Sequence, residues 1–137
     1  MIATGAHIYG VLAQDEAVSA LVAGRVYPQR RAEGATIPCV VYQVVSVSPA
    51  RSLAGPWRSE WERVQVDCYA ATYAAVSTLA NTVDTVLCEA SPTVSSGLQV
   101  GTMRRMGAME EPIEQVDGSD RAVHCIHLDY LSTIRKV

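Results

Sequence analysis

The sequence has no excess of basic residues and almost no lysine. Eleven Lys and Arg face fourteen Asp and Glu, which gives a formal net charge of −3, and Lys136 is the one lysine. Because a bulk electrostatic grip on nucleic acid needs a basic excess, the composition disfavours nucleic-acid binding as the main activity. The arginines suit protein interfaces, since the planar guanidinium bonds carboxylates through two hydrogen bonds. A GC-rich genome explains the same bias.

Long apolar runs and targeting segments are also missing. No run approaches the ~20 residues of a membrane span, and the first residues lack the basic start and apolar stretch of a signal peptide. These absences predict synthesis in the cytosol and no membrane partner. The 137 residues are 49% apolar and 18% charged, which is typical of an ordinary globular chain and predicts one domain over residues 1–137.

Motifs for catalysis and nucleotide binding are not found. The chain has no G-x-S-x-G nucleophile turn, no G-x-x-x-x-G-K-[ST] loop and no G-x-G-x-x-G turn. Glu60 and Glu62 flank Trp61 on a predicted strand, where we interpret them as surface charges rather than a hydrolytic pair. The sequence therefore predicts no catalytic residue, no cofactor and a protein that is not an enzyme.

The cysteines and histidines do not form a recognisable metal motif. The four cysteines contain no C-x-x-C pair, which argues against a zinc ribbon: Cys39, Cys68, Cys88 and Cys125. In a cytosolic chain we expect them to be small buried residues. His124 and His127 lie three apart on a predicted strand and so point to opposite faces. A distant partner such as His7 or Cys125 has no support from spacing, and no metal is predicted.

The first half of the chain predicts two short helices and a strand. Ile8, Val11 and Leu12 share one helical face, and Asp15 is placed to cap a second helix that ends at Gly24. A short extended piece at 25–28 and a polar loop at 29–37 follow. The apolar run 39–47 predicts a strand covered on both faces. Pro and Gly mark 48–59 as a second loop.

The second half predicts a strand, a long helix and a hairpin. Residues 60–70 alternate, with Val64 and Val66 on one face and Arg63, Gln65 and Asp67 on the other. Apolar residues at helical spacing predict a helix over 71–89. Two extended stretches, 98–109 and 121–134, are joined by an acidic link at 110–120. The order predicts an α+β fold, with an antiparallel or mixed sheet of four to five strands and helices mainly on one face.

Two surfaces are candidates for subunit or partner contacts. Trp and Arg are the residue types that most often anchor interfaces, and they are concentrated in and beside the second loop: Arg51, Trp57, Arg58 and Trp61. The same residues also suit packing onto the core or stacking on single-stranded nucleic acid. The second surface is the acidic link with Glu110, Glu111, Glu114 and Asp117, which fits a solvated loop, a divalent-cation loop or a dock for an arginine-rich partner.

Five segments in a fixed order carry a resemblance to a known family. They are HIYGVL at 7–12, DEAVSALV at 15–22, GRVYP at 24–28, IPCVVYQ at 37–43 and RVQVDCYA at 63–70, the last leading into the long helix. Their order and spacing from residue 7 to about residue 88 resemble the tail-completion, or tail-terminator, proteins of long-tailed bacteriophages. The longer Gly/Pro loop at 48–58 and the extended acidic link depart from that pattern.

The resemblance implies a structural role in virion assembly. Proteins of this family cap the tail tube with a ring, usually a hexamer, end tail elongation and join the tail to the head connector. The implied partners are further copies of the chain, the tail-tube protein and the head connector or stopper protein, with DNA only passing through the bore. The implied locations are the virion tail or neck and, during assembly, the cytoplasm of the bacterial host of a phage or prophage.

Three other functions remain open at this level. The first is another neck or minor tail protein with the same small fold, since ring-forming tail proteins share these patterns. The second is an α+β enzyme whose site carries no known motif. The third is an unrelated regulatory domain.

Overall fold

The computed structural model describes residues 3–29, 36–52, 55–111, 114–115 and 122–137, without the side chains of 50–52, 55–58, 114–115 and 122. Three helices are present in these residues: α1 (Thr4–Gln14), α2 (Glu16–Val22) and α3 (Tyr73–Glu89). Within them, no helix combines the length and apolar character needed to cross a membrane.

The strands form two groups along the chain, β1 to β3 before α3 and β4 to β7 after it. They are β1 (Val26–Pro28), β2 (Cys39–Ser52), β3 (Gly55–Ala70), β4 (Thr93–Ser95), β5 (Leu98–Glu110), β6 (Glu114–Gln115) and β7 (Ala122–Lys136). The sheet order is β1-β2-β3-β7-β5-β4, and β6 also pairs with β7. β1 runs parallel to β2, and the other pairs are antiparallel, so the sheet is mixed.

The α+β class and the mixed sheet are confirmed, whereas the predicted four to five strands are too few. The additional strands are β4 and β6, with three and two residues. They are too short for a period-two pattern and exist because of their pairing with β5 and β7. The residues of β6 lie within the acidic link predicted at 110–120.

The core lies between the helices and one face of the sheet. Alternate residues of β3, Val64, Val66 and Cys68, are fully buried there, as the alternation predicts. α1 contributes Ile8 and Leu12. The long helix contributes the stripe Val76, Leu79, Ala80, Val83 and Leu87. Tyr73 is apolar at the same helical spacing but does not join the stripe, because it stands at the first turn of α3 and is 56% exposed.

The predicted loop at 48–59 is wrong, because β2 and β3 continue into it as a hairpin. Pro49 pairs with Glu60 inside β2. Proline is tolerated there because β1 pairs only with residues 40–42, so the outer side of β2 at residue 49 is an edge that needs no N–H donor. Pro56 lies in β3 before Ser59, the residue at which pairing of β3 with β7 begins. The missing N–H of Pro56 therefore costs no hydrogen bond to β7.

The apolar run at 39–47 is covered on both faces only at its start. Cys39, Val40 and Val41 are buried, but Val45 and Val47 are 48% and 36% exposed. A register shift between Val44 and Ser46 displaces the strand beyond this point. The prediction of a strand covered on both faces is therefore wrong for the second half of the run, because it rested on hydrophobicity alone.

The helix ends follow the sequence signals closely. The Asp15 carboxylate accepts the backbone N–H of Val18 at 3.0 Å, which confirms the predicted cap of α2. α2 ends in left-handed backbone, with φ of 50° at Ala23 and 80° at Gly24.

Glu62 is not the surface charge that we predicted. It is fully buried and accepts the backbone N–H groups of Ala3 at 3.0 Å and Thr4 at 2.9 Å, as well as the Thr4 hydroxyl. A carboxylate at this position satisfies N–H groups that the first turn of α1 leaves without helical partners. It thereby fixes the start of α1 over β3.

Candidate functional site: the open face of the sheet

The face of the sheet opposite the helices carries polar and exposed apolar side chains, and we call it the open face. It is formed on β3 by residues 61, 63, 65, 67 and 69 and on β7 by their register partners 133, 131, 129, 127 and 125. No helix of the described residues packs on it. It is the surface on which the alternation of β3 placed Arg63, Gln65 and Asp67.

Large apolar side chains are exposed on this face and beside it. Trp61 is 42% exposed, Val45 is 48% exposed and Met109 is 62% exposed. Val45 and Met109 line a shallow groove of about 660 Å³ together with Arg63, Glu111 and His127. Exposed apolar groups bordered by charges are typical of a surface that contacts another protein.

One ion pair crosses the middle of the open face. The Arg63 guanidinium donates from Nε at 3.2 Å and from one Nη at 2.6 Å to the Asp129 carboxylate. These hydrogen bonds and the charge of Asp129 raise the pKa of Arg63 above its ordinary value. Because Arg63 is 57% exposed, the pair adds little to stability and serves mainly to order two adjacent strands.

His127 lies between two carboxylates at one end of the face. Its Nδ1 contacts Asp67 on β3, and its Nε2 lies 2.5 Å from Glu111. Burial of the imidazole opposes its protonation, but the hydrogen bonds and charges of Asp67 and Glu111 outweigh it and raise the pKa of His127. The Cys125 thiol lies 3.9 Å from the same ring and is buried.

The structure places the two predicted interface groups at opposite ends of the open face. Trp61 pairs with Thr133 on β7, whereas Glu111 bonds the backbone carbonyl of Cys125. Eight residues of a strand at ~3.3 Å each separate them by roughly 26 Å. They therefore form two surfaces and not one.

The remaining predicted interface residues lie in different parts of the chain. Arg51 lies in β2 and Trp57 and Arg58 lie in β3 by backbone, with side chains outside the described set. Glu114 lies in β6, and Asp117 is outside the described residues. Glu110 is not simply solvated, because it accepts the Tyr73 hydroxyl at 2.6 Å.

Sequence reasoning correctly separated the two histidines but missed their partners. The His124 ring packs edge-on against Tyr73 of α3, whereas His127 contacts Asp67 on the open face. The two histidines therefore lie on opposite faces of the sheet. The alternation of β3 placed Asp67 on the open face, but only the register of β3, β7 and β5 brings Asp67, Glu111 and Cys125 to His127. That register is a long-range property with no local sequence signal.

The predicted core position of the cysteines is confirmed for three of four. Cys39, Cys68 and Cys125 are buried, and Cys88 is exposed on α3. Burial, with smaller effects of Cys125, Asp67 and Cys39, raises the pKa of the Cys68 thiol far above its usual range. Cys68 is therefore an inert core residue.

A second cavity, of about 290 Å³, lies between α1 and β4. His7 borders it, is only 5% exposed, and bonds the Thr93 hydroxyl through Nδ1 at 2.8 Å. Burial lowers the pKa of His7. The described residues that line the cavity besides His7 are uncharged, so it offers no acid–base pair for catalysis.

Comparison with known proteins assigns the chain to a class and then to a family. The class is that of phage structural tail proteins. Residues 6–129 match the family described as "Tail completion protein gp17", and the chain belongs to this family. The resemblance noted in the five sequence segments is thereby confirmed. No curated protein matches the chain significantly.

Solved structures with a similar fold include a chain of a virion particle. A chain from the "Virion of native gene transfer agent (GTA) particle" superimposes with a TM-score of 0.65, at 20% identity, over 93% of this chain and 91% of that one. A second structure, without a functional name, has a TM-score of 0.51 at 18% identity over 82% and 80% of the two chains. At these identities the likeness concerns the fold.

Proposed function

We propose that this protein caps the phage tail tube, ends tail elongation and joins the tail to the head connector, as a ring built from copies of itself. The observation that supports this most strongly is the family match over residues 6–129. The fold shared with a chain of a gene transfer agent virion is consistent with a place in an assembled particle. We propose that residues 1–137 act as one domain in that ring.

The open face and the sheet edges are suited to contacts between subunits. A closed ring requires two different complementary surfaces on each subunit. Within the described residues, no strand pairs with the outer edge of β2 beyond residue 42 or of β5 beyond residue 100. Unpaired edges of this length can accept a strand of a neighbour. Together with exposed Trp61, they supply both sides of such an interface.

We assign the predicted residues to two contacts in this ring. The end of the β2–β3 hairpin, with Arg51, Trp57, Arg58 and Trp61, meets a neighbouring subunit or the tail tube. The acidic segment that begins at the last residue of β5, with Glu110, Glu111, Glu114 and Asp117, faces the connector or the bore. An acidic bore lets DNA pass without adhering, because like charges repel.

The role is tested by deleting the gene from its parent phage or prophage and imaging the particles. The proposal predicts filled heads beside separate tails that are over-long or uncapped. Normal infectious particles would exclude the role. Joined but malformed tails would favour another neck or minor tail protein of the same fold, which is the main alternative.

The interface is tested by complementing that deletion with variants. Trp61→Ala should lower the yield of joined particles by at least roughly tenfold, because aromatic anchors carry a large share of interface energy. Tyr9→Ala is the matched control, since Tyr9 is 48% exposed but lies on α1. Equal yields from the two variants would remove Trp61 from the interface.

A further inference from the structure

We propose that Glu111, Cys125 and His127 form a Zn²⁺-binding site at the end of the open face, with Asp67 as the residue that orients His127. The proposal does not depend on the capping role. It rests on three side chains whose donor atoms lie together, those of Glu111, Cys125 and His127, and on the contact of Asp67 with the other ring nitrogen of His127.

The strand register brings these groups together. Cys125 and His127 are two apart on β7 and share the open face. Asp67 is the register partner of His127 on β3. Glu111 follows β5, where its backbone N–H bonds the carbonyl of Cys125 at 3.0 Å. One donor atom from each of Glu111, Cys125 and His127 lies within 4.8 Å of the others.

The distances are close to those of a tetrahedral zinc site. Zn–N and Zn–O bonds of ~2.1 Å and Zn–S bonds of ~2.3 Å place ligand atoms on the order of 3.5 Å apart. Cys125 Sγ lies 3.9 Å from both ring nitrogens of His127, so the Cys125 side chain must turn toward Nε2 for an ion to lie between the two donor atoms. Glu111 Oε1, at 2.5 Å from Nε2, must move outward, and its side chain is 43% exposed and able to do so.

Asp67 supplies the support that a ligating histidine needs. It contacts His127 Nδ1, and it accepts the Gln65 side-chain amide at 2.9 Å. A carboxylate that accepts the Nδ1–H directs the Nε2 lone pair toward the ion. Asp67 and His127 have side-chain exposures of 16% and 13%, so both are held in place by their neighbours.

The donor set selects Zn²⁺ over harder cations. A thiolate and an imidazole favour a borderline ion, whereas Mg²⁺ and Ca²⁺ prefer oxygen ligands alone.

On binding, the Cys125 thiol releases its proton to solvent, and the ion takes the place of any proton between His127 Nε2 and Glu111. The three protein ligands leave a fourth position for water. The bound ion ties the segment after β5 to the centre of the sheet.

The test is titration of the purified full chain with Zn²⁺ and with Co²⁺ as a spectroscopic probe. We expect one equivalent of either ion to bind, and the cobalt form to show sulfur-to-metal charge transfer with tetrahedral d–d absorption. Cys125→Ser should abolish the charge-transfer band. Glu111→Gln and His127→Ala should weaken binding at least roughly tenfold, and Asp67→Asn roughly 10- to 100-fold with the band retained.

Matched controls separate this site from adventitious binding. Cys88→Ser removes the exposed thiol on α3, and His124→Ala removes the neighbouring histidine on the other face. Both should bind like the unmodified chain. The proposal is overturned if the unmodified chain gives no charge-transfer band, or if Cys88→Ser loses the band while Cys125→Ser keeps it. Glu111→Gln alters an exposed side chain, so its result does not depend on refolding of the core.

Discussion

Glu62 and His7 are buried ionisable side chains that hold α1 in place from opposite directions. Glu62 reaches α1 from β3 across 58 residues of sequence, and His7 reaches from α1 to Thr93 on β4. Neither role has a local signature. Glu62 alternates with exposed residues on β3 like the apolar positions around it, so its burial followed from periodicity, but the charge led us to place it at the surface.

Replacing Glu62 by Gln should destabilise the protein by about 1–3 kcal/mol. The amide keeps one acceptor but turns a donor toward the N–H groups of Ala3 and Thr4, and it removes the charge that favours a helix start. The measurement is the free energy of unfolding from urea titration. Glu89→Gln, at the exposed end of α3, is the control and should change it by a few tenths of a kcal/mol. Equal effects would show that the Glu62 contacts do not stabilise the fold.

His7 should make the protein less stable in mild acid. Its pKa is lowered in the folded state by burial, so as pH falls through about 6.5 the unfolded chain binds the proton first. The contribution of neutral His7 to the free energy of unfolding is therefore complete above that pH and is lost as the pH falls below it. His7→Asn retains a polar group at the Nδ1 position beside Thr93. The difference in unfolding free energy between the two proteins should shrink from pH 7.5 to pH 5.5, and a constant difference would contradict the assignment.

At the scale of elements, Asp84 joins α3 to two strands. It accepts the hydroxyl of Tyr130 on β7 at 2.8 Å and pairs with Arg105 on β5 at 3.1 Å. Asp84 follows Val83, which belongs to the buried stripe of α3, and its side chain is 23% exposed. Helical spacing predicts the direction of a side chain but not which long side chains of the sheet reach it.

Tyr130→Phe should cost about 1 kcal/mol of unfolding free energy, because it removes a buried hydrogen bond to a carboxylate. Burial, followed by the hydrogen bond to Asp84, raises the pKa of Tyr130, which is consistent with a hydroxyl held in its protonated form. Tyr73→Phe removes a similar bond, to Glu110, from a side chain that is 56% exposed. Its cost should be much smaller, and urea unfolding of both variants measures the difference.

The elements that could be predicted are those whose period extends over many residues. The long helix, the alternation of β3 and the two strands of the terminal hairpin are confirmed because each buries one face against the core. The hairpin end at 48–59 was missed because its Pro and Gly residues predict a loop. The cross-strand pairing that forms the hairpin leaves no local pattern in the sequence. The pairing partners of β4 and β6 lie elsewhere in the chain and leave no local pattern.

In the molecule as a whole, helices cover one face of the sheet. No described helix packs on the open face, although Cys39, Val41 and Cys125 at one end of it are buried. The sequence predicted the helix-covered face and several residues of the open one. It also gave Trp61 as a candidate contact residue, and the structure shows that Trp61 is exposed. It could not predict the cluster around His127, because three strands must pair in register before those residues meet. The unpaired edges of β2 and β5, within the described residues, likewise follow from sheet order and not from composition.

The proposed role, in which this chain caps the tail tube as a ring and links it to the head, can be tested by averaging electron micrographs of the neck of intact particles. We expect a hexameric ring of this fold between the last ring of the tail tube and the head connector, with the open face or the β2 and β5 edges at subunit contacts. Finding the chain at the distal end of the tail, or not in the particle, would contradict it.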